Sequence, residues 1–336
     1  MIDGCRISLD WKYKGMQTII LENEYLRISI LTDFGAKIFE FIHKPTGWDF
    51  MYHNPRVECR MPVYGVNADN WWTGGIDEAI PTGHTSFYKG EEYPYLGEVW
   101  SLPWDYEIIS RGKDEVKVHL WRTTVIAPLK VEKWITLRKG ERMVRFHHKI
   151  TNLGHTRFEF IWGIHPGLSV NPNFTIDIPA EDVFIEESLP DNRLGKRGTI
   201  YKWPYATDKY GKKVDMRKVQ PEEVQTSDFH YAIKLTDGWF ALTNTSEKEG
   251  FGFVFPKDIF KVIWLWLVYG GWRGLYCVAI EPWTGYPAKL DMAVREGIYS
   301  TLESGESLEC DTFALIYEGV SKVERIKPSG EVIGSD

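Results

Sequence analysis

FIWGIHPGLSV, Phe160–Val170, reads as a buried strand in which a histidine arrives late, with glycine two residues before it and proline directly after. Side chains alternate across a strand, so Phe158, Phe160, Trp162 and Ile164 share one face, and Ile161, Gly163 and His165 the other. The heavy residues fill one side, and Gly163 is expected to leave open space beside His165. Pro166 has no N–H for a ladder, so pairing is expected to end there. His165 would then stand at a strand end over an open surface. The plain alternative is a core histidine bonded to a backbone carbonyl, and the residues alone leave both readings open.

A second stretch has the same form. In LYCVAIEPWTGYP (275–287), Leu275, Cys277, Ala279 and Glu281 share a face, and Tyr276, Val278 and Ile280 lie opposite. Small residues again lead to an ionisable group, and Pro282 follows at once. A carboxylate ending an apolar strand needs a partner or a task. The alternative is a salt bridge to an arginine elsewhere.

Outward from these stretches, strand patterns dominate. Leu26, Ile28 and Ile30 alternate in YLRISIL, and AKIFEFI follows a break at Gly35. EVKVHLW alternates through Val116, Val118 and Leu120. VEKWITLRKGERMVRFHHKITNLG reads as two strands about Lys139-Gly140, with His148 on the face of Val144, Phe146 and Ile150 as a structural histidine. Asp237-Gly238 lies between two apolar runs and predicts a short hairpin. ALIYEGV closes the series. Helical periodicity is scarce, which indicates an all-β chain, a large antiparallel sandwich or barrel. One domain is expected over residues 1–326, with a loop-rich insertion near 181–225 and a frayed tail at 327–336.

The totals bound the function. The formal charge is −7, without a basic run, which argues against nucleic acid. No apolar run approaches the length of a membrane span. The first residues lack an apolar signal core, so a cytoplasmic protein is expected. Cys5, Cys59, Cys277 and Cys310 form no paired motif and read as reduced structural thiols. Aromatic residues reach 15%, with 15 Trp, whose flat apolar faces suit both β cores and sugar rings.

Those aromatics concentrate in WWTGGIDEAIPTGHTSFYKGEEYPYLGEVWSLPW (71–104), together with Asp77, Glu78, His84 and Glu98. Carboxylates take paired hydrogen bonds from sugar hydroxyls, and the C–H face of a sugar lies on an indole. The stretch reads as a ligand wall, the alternative being a loop-rich surface with structural tryptophans. The i, i+2 spacing of Glu98 and Trp100 predicts one shared strand face.

In chain order, NEYLRISILTDFGAKIFEFIHKPTGWDFMY (23–52), GGIDEAIPT (74–82), GEVWSLPW (97–104), WGIHPGL (162–168), SDFHYAI (227–233) and AIEPWTGYP (279–287) resemble successive segments of the galactose mutarotase-like superfamily, which includes the aldose 1-epimerases. The resemblance implies a β-supersandwich of antiparallel sheets with a concave face that holds a sugar. It implies His165 as the catalytic acid and Glu281 as the catalytic base, facing one cavity. Asp77, His84, Glu98 and Asp228 would hold hydroxyls, and Trp100 would stack. One departure stands out: many relatives carry histidine just before Gly-Glu, where this chain has Leu96; either His84 supplies the missing ring, or the substrate or the chemistry differs from a plain mutarotase.

The expected reaction is interconversion of sugar anomers, with no cofactor and no metal. The alternatives are a carbohydrate lyase or hydrolase on the same scaffold, with Asp77 or Glu78 beside Glu281 as carboxylate pair, or a non-catalytic sugar-binding domain. A phosphorylated substrate would call on Arg60 or Arg273. The expected partner is a small-molecule sugar, with neither nucleic acid nor membrane, and homodimerisation is left open.

Overall fold

The computed structural model describes residues 3–336 and is about 54% strand and 5% helix. It is an all-β sandwich of antiparallel sheets. The chain divides into two compact units, one holding the residues up to Pro166 with Trp283–Thr312, the other Gly167–Pro282 with Phe313–Asp336. The crossings fall inside the strands Gly163–Leu168, Tyr276–Trp283 and Ser307–Glu318. No linker composition marks them, and for that reason the sequence read as one span.

In the first unit, one sheet runs in the order Arg6–Tyr13, Met16–Glu22, Leu26–Leu31, Lys37–His43, Gly75–Ala79, Gly163–Leu168. A second sheet is the meander Asp105–Arg111, Glu115–Thr123, Leu129–Arg138, Met143–Asn152, with the start of Ser307–Glu318 beside it. The turn at Lys139-Gly140 joins the two strands expected around it, with Leu137 opposite Val144. Glu78 from the first sheet reaches Lys133 and His148 from the second, so a polar cluster lies within an otherwise apolar layer. Lys133 Nζ is 3.1 Å from Glu78 Oε1, and His148 Nε2 lies 3.0 Å from Thr312 Oγ1. Burial pushes His148 down to about 4, against the pull of Glu78, so its ring is neutral beside that carboxylate.

In the second unit, one sheet runs Tyr276–Trp283, Val262–Tyr269, Thr226–Leu235, Ala180–Leu189, Ile200–Lys202. The other runs Phe174–Asp177, Trp239–Asn244, Glu249–Val254, then the Phe313–Glu318 end of the long strand. Three expectations are corrected here. Asp237-Gly238 does not close a hairpin, because Thr226–Leu235 and Trp239–Asn244 belong to different sheets. The stretch 181–225 is not loop from its start: Ala180–Leu189 is a full strand, and short strands follow at Ile200–Lys202, Tyr205–Thr207 and Lys213–Asp215. The tail is not frayed, since Val332–Ser335 pairs with Lys322–Ile326.

All four cysteines are free and buried. Burial raises each thiol above its ordinary range, which keeps them protonated and inert. Among the described residues, no helix is long and apolar enough to cross a membrane.

Candidate functional site

The segment that carries His165 is not one strand. Phe158–Phe160 pairs with Ser300–Leu302, the chain steps through Ile161 and Trp162, and a new strand begins at Gly163. Thr284 holds the step: its Oγ1 accepts from Trp162 N at 2.9 Å, and its own N–H donates to Trp162 O at 2.8 Å. Gly163 does not leave open space. A Cβ there would lie 2.1 Å from Cδ2 and Cε2 of the Trp283 indole, so the glycine exists to let the indole lie on the backbone. Pro166 does not end pairing either, because the strand runs on to Leu168, and Pro282 likewise lies inside its strand. His165 is buried, and the edge of Trp72 meets its ring at 5.5 Å between centroids, near perpendicular. Trp72 in turn stacks on Tyr52 at 5.7 Å. Asn54 Nδ2 donates to Trp72 O, and Gly74, with φ of +88°, lets the carbonyl of Tyr52 approach too closely for any Cβ. Sequence reading missed Trp72 as the neighbour of His165; its place in the Trp71-Trp72 pair was the available signal.

The strand Gly75–Ala79 turns its two carboxylates to opposite faces, as strand alternation requires. Asp77 Oδ2 is 2.8 Å from Lys37 Nζ, and neither side chain has any solvent access. Lys37 Nζ also donates to Gly74 O at 2.7 Å. Glu78 takes Lys133, as described. Both expected ligand or catalytic carboxylates of this strand are therefore neutralised by buried lysines, which the sequence did not pair with them.

Glu98 and Trp100 do not share a strand face, because Val99–Ser101 is a 3₁₀ turn with Glu98 as its N-cap. Both side chains face inward. Glu98 accepts from the N–H groups of Val125, Ile126 and Ala127 at 2.7, 2.8 and 2.9 Å and from Tyr64 Oη at 2.9 Å. It acts as an anchor for the turn 125–127. Trp100 is buried against Phe34 at 6.0 Å and donates Nε1–H to Tyr95 O, so its ring is core and offers no face to a sugar. Leu96, at the position where histidine was expected, is buried with φ of +58° in a turn closed by Gly97 N–H to Pro94 O. A non-glycine residue held there carries backbone strain. His84 keeps an exposed edge while its ring packs edge-on against Tyr95 at 4.2 Å. Desolvation lowers its pKa, opposed by Asp69 and assisted by Lys289.

In the second unit, Glu281 is buried on Tyr276–Trp283, with Cys277 and Ala279 on its face, equally buried. Asp228 lies on Thr226–Leu235 with both oxygens taken. Ser188 Oγ donates to Oδ1 at 2.6 Å, and Arg193 reaches Oδ2 from the loop after Ala180–Leu189. His230, two residues on, is pushed down to about 4 by burial, with Asp228 pulling the other way. Its Nδ1 is 3.2 Å from Tyr201 Oη, so a neutral imidazole sits 3.8 Å from Asp228. Arg193 was invisible to sequence reading, since it sits in an irregular, charge-rich stretch where no residue stands out.

Residues 8–96 match the model of a family described as a domain of unknown function, DUF5107. An α-amylase of Pyrococcus horikoshii is 22% identical over 218 residues, and the chain spans about a third of that protein's length. Among solved structures, a candidate aldose 1-epimerase of Klebsiella pneumoniae superposes with a TM-score of 0.69 at 14% identity, over 92% of this chain and 82% of that one. A galactose mutarotase related enzyme of Lactobacillus acidophilus gives 0.60 at 16%, over 90% and 97%. The Slr1438 protein of Synechocystis gives 0.65 at 17%, over 90% and 96%. Strand content, antiparallel sheets and these superpositions agree: the chain has the galactose mutarotase-like fold.

Proposed function

We propose that the chain is an aldose 1-epimerase-like enzyme, with His165 as acid and Glu281 as base. The observation that carries the proposal is the fold, on which the His-Pro and Glu-Pro segments stand in the order the resemblance requires, each ionisable residue buried beside small or aromatic neighbours. In the proposed reaction Glu281 takes the proton of the anomeric hydroxyl while His165 gives one to the ring oxygen. The bond from C1 to the ring oxygen breaks, the aldehyde turns, and reclosure with the protons returned gives the other anomer. Each positioned proton transfer is typically worth ~10²–10⁴ in rate.

The proposed contact set is narrower than the sequence implied. His84 keeps an exposed edge, and Asp228 acts through Arg193, which it holds in place. Asp77, Glu98 and Trp100 are committed to the contacts described and are left out. Residues 1–326 are kept as one functional domain, since the chain passes between the units within strands.

The match to an α-amylase favours glycoside hydrolysis as a second reading. Against it, hydrolysis needs a carboxylic acid and a carboxylate, and Asp77 and Glu78 are both held by lysines. Exchange between the two anomeric NMR signals of a panel of aldoses tests the proposal. Catalysed exchange that falls ~10²-fold or more in His165→Asn and in Glu281→Gln is expected. Full exchange in both variants refutes the assignment, and release of reducing ends from an oligosaccharide without anomer exchange favours the hydrolase.

A further inference from the structure

Three segments of the first unit are tied to one another: 81–84, which ends at His84; 161–165, which ends at His165; and 283–290. Ile161 N–H donates to Pro81 O at 2.9 Å. Trp162 is held by Thr284 through the two bonds described. Gly83 N–H and His84 N–H both donate to Ala288 O, at 3.0 and 2.8 Å. These links close a ring, so a displacement of one segment is felt by the other two.

Two side chains take part in the ring, both threonines with no solvent access. Thr82 Oγ1 donates to His84 O at 2.7 Å and accepts from Leu290 N at 3.2 Å. Thr284 Oγ1 accepts from Trp162 N at 2.9 Å. The packing around Thr284 has no slack. Trp283 lies on the backbone of Gly163, and a Cβ on Gly285 would come 2.2 Å from Ile298 O and 2.7 Å from Ile161 Cγ2. Residues 161, 162 and 163 thus meet 285, 284 and 283 one for one, in antiparallel order. Valine has the shape of threonine without its hydroxyl. At either position it withdraws bonds from buried backbone groups, which the chain must recover by rearranging. His165 lies three residues past Trp162, roughly 10 Å along an extended chain, and His84 two past Thr82. A misplacement of about 1 Å at a reacting group can cost ~10² in rate.

We infer that Thr284 and Thr82 are positioning residues of the proposed reaction, Thr284 setting the place of His165 and Thr82 that of His84. The inference rests on the proposed function, in which His165 moves a proton and His84 contacts the sugar. Steady-state anomer exchange tests it. Thr284→Val is expected to lower kcat by about 10–10²-fold with KM within about threefold. Thr82→Val is expected to raise KM by about fivefold or more with kcat within about threefold. Thr284→Ser and Thr82→Ser keep the oxygen and should return to near the wild-type values. Thr284→Cys and Thr82→Cys, with a weakly bonding thiol in the same place, serve where a valine chain does not fold and should show the same split in lesser degree. Thr124 is the matched control: it is buried, and its hydroxyl donates to Leu129 O at 2.9 Å and accepts from Leu129 N at 3.1 Å. Thr124→Val should lower the unfolding midpoint and leave kcat and KM unchanged. NMR signals of the two rings, assigned by their loss in His165→Asn and His84→Asn, give a readout independent of turnover: Thr284→Val should move the first most, and Thr82→Val the second. Kinetic losses without the split, serine variants as impaired as the valine ones, or unmoved ring signals overturn the inference and leave the proposed function standing. Absence of exchange in the wild type overturns the proposed function, and the ring signals then decide by themselves whether the threonines set the histidines.

Discussion

Gly163→Ala tests the account of the His165 segment most directly. The added Cβ would lie 2.1 Å from two indole atoms of Trp283 and 2.6 Å from a third, where ordinary contact begins near 3.4 Å. Ring or backbone must therefore move by more than an ångström. Trp283 is completely buried, so the ring has nowhere to go. Overpacking by one methyl costs about 1–3 kcal/mol, and a rigid ring puts this site at the upper end. Alanine also restricts the unfolded chain, which returns about 0.4–1 kcal/mol. The net loss is about 2–3 kcal/mol. At an unfolding entropy of roughly 2 cal/mol/K per residue, the midpoint should fall by about 3–4 °C. Scanning calorimetry reads this, and His165, two residues along the same strand, should lose activity with it. Trp283→Leu removes the fused ring atoms, so in that background Gly163→Ala should cost little or nothing further. An equal cost in both backgrounds, or no cost in the first, refutes the packing account.

Three other outcomes are expected. His148 and His230 are both held near 4 when folded, below the ordinary 6.5, so the unfolded chain binds more protons between those values; stability is full above about pH 6.5 and falls toward pH 4 by up to roughly 3 kcal/mol per histidine, and His148→Gln and His230→Gln should each flatten the denaturant midpoint against pH. Lys37→Met strands Asp77 as an uncompensated buried charge and should cost about 3–5 kcal/mol, whereas Lys37→Met with Asp77→Leu should recover most of it in urea titrations. Glu98→Ala frees three N–H groups of the 125–127 turn and should lower stability by about 2 kcal/mol or more with sugar affinity unchanged; the reverse result, lost affinity in a fully stable variant, restores Glu98 to the sugar site.

Much of the fold was legible because period-two alternation is a local signal. Leu26–Leu31, Lys37–His43, Glu115–Thr123 and the pair around Lys139-Gly140 stand where the pattern put them. Alternation tells which residues share a face but not which sheet a strand joins, so Asp237-Gly238 looked like a hairpin and is a passage between sheets. The glycine beside His165 was read as open space. At Gly163 the volume is filled by Trp283, 120 positions away in sequence, which no local pattern discloses. Proline was overweighted for the same reason: both Pro166 and Pro282 lie within strands. In the third segment the orientation of the side chains was not legible. Glu98 and Trp100 face inward because a 3₁₀ turn replaces the strand on which the i, i+2 argument depended.

The buried lysines bear furthest on chemistry. Lys37 lies in an apolar run, on a register position that faces the interior, and Lys133 does so in the neighbouring sheet. Each sits against one carboxylate of Gly75–Ala79. Both carboxylates are buried with a lysine on one oxygen, so neither is placed to reach a glycosidic oxygen, as one member of a hydrolase pair must. Opening a cyclic hemiacetal makes no such demand: it needs one base, and an acid that a histidine can supply. Under the proposed assignment Glu281 and His165 meet that requirement without help from Asp77 or Glu78. The two lysines thus take both carboxylates of that strand out of the pair on which the hydrolase reading depends.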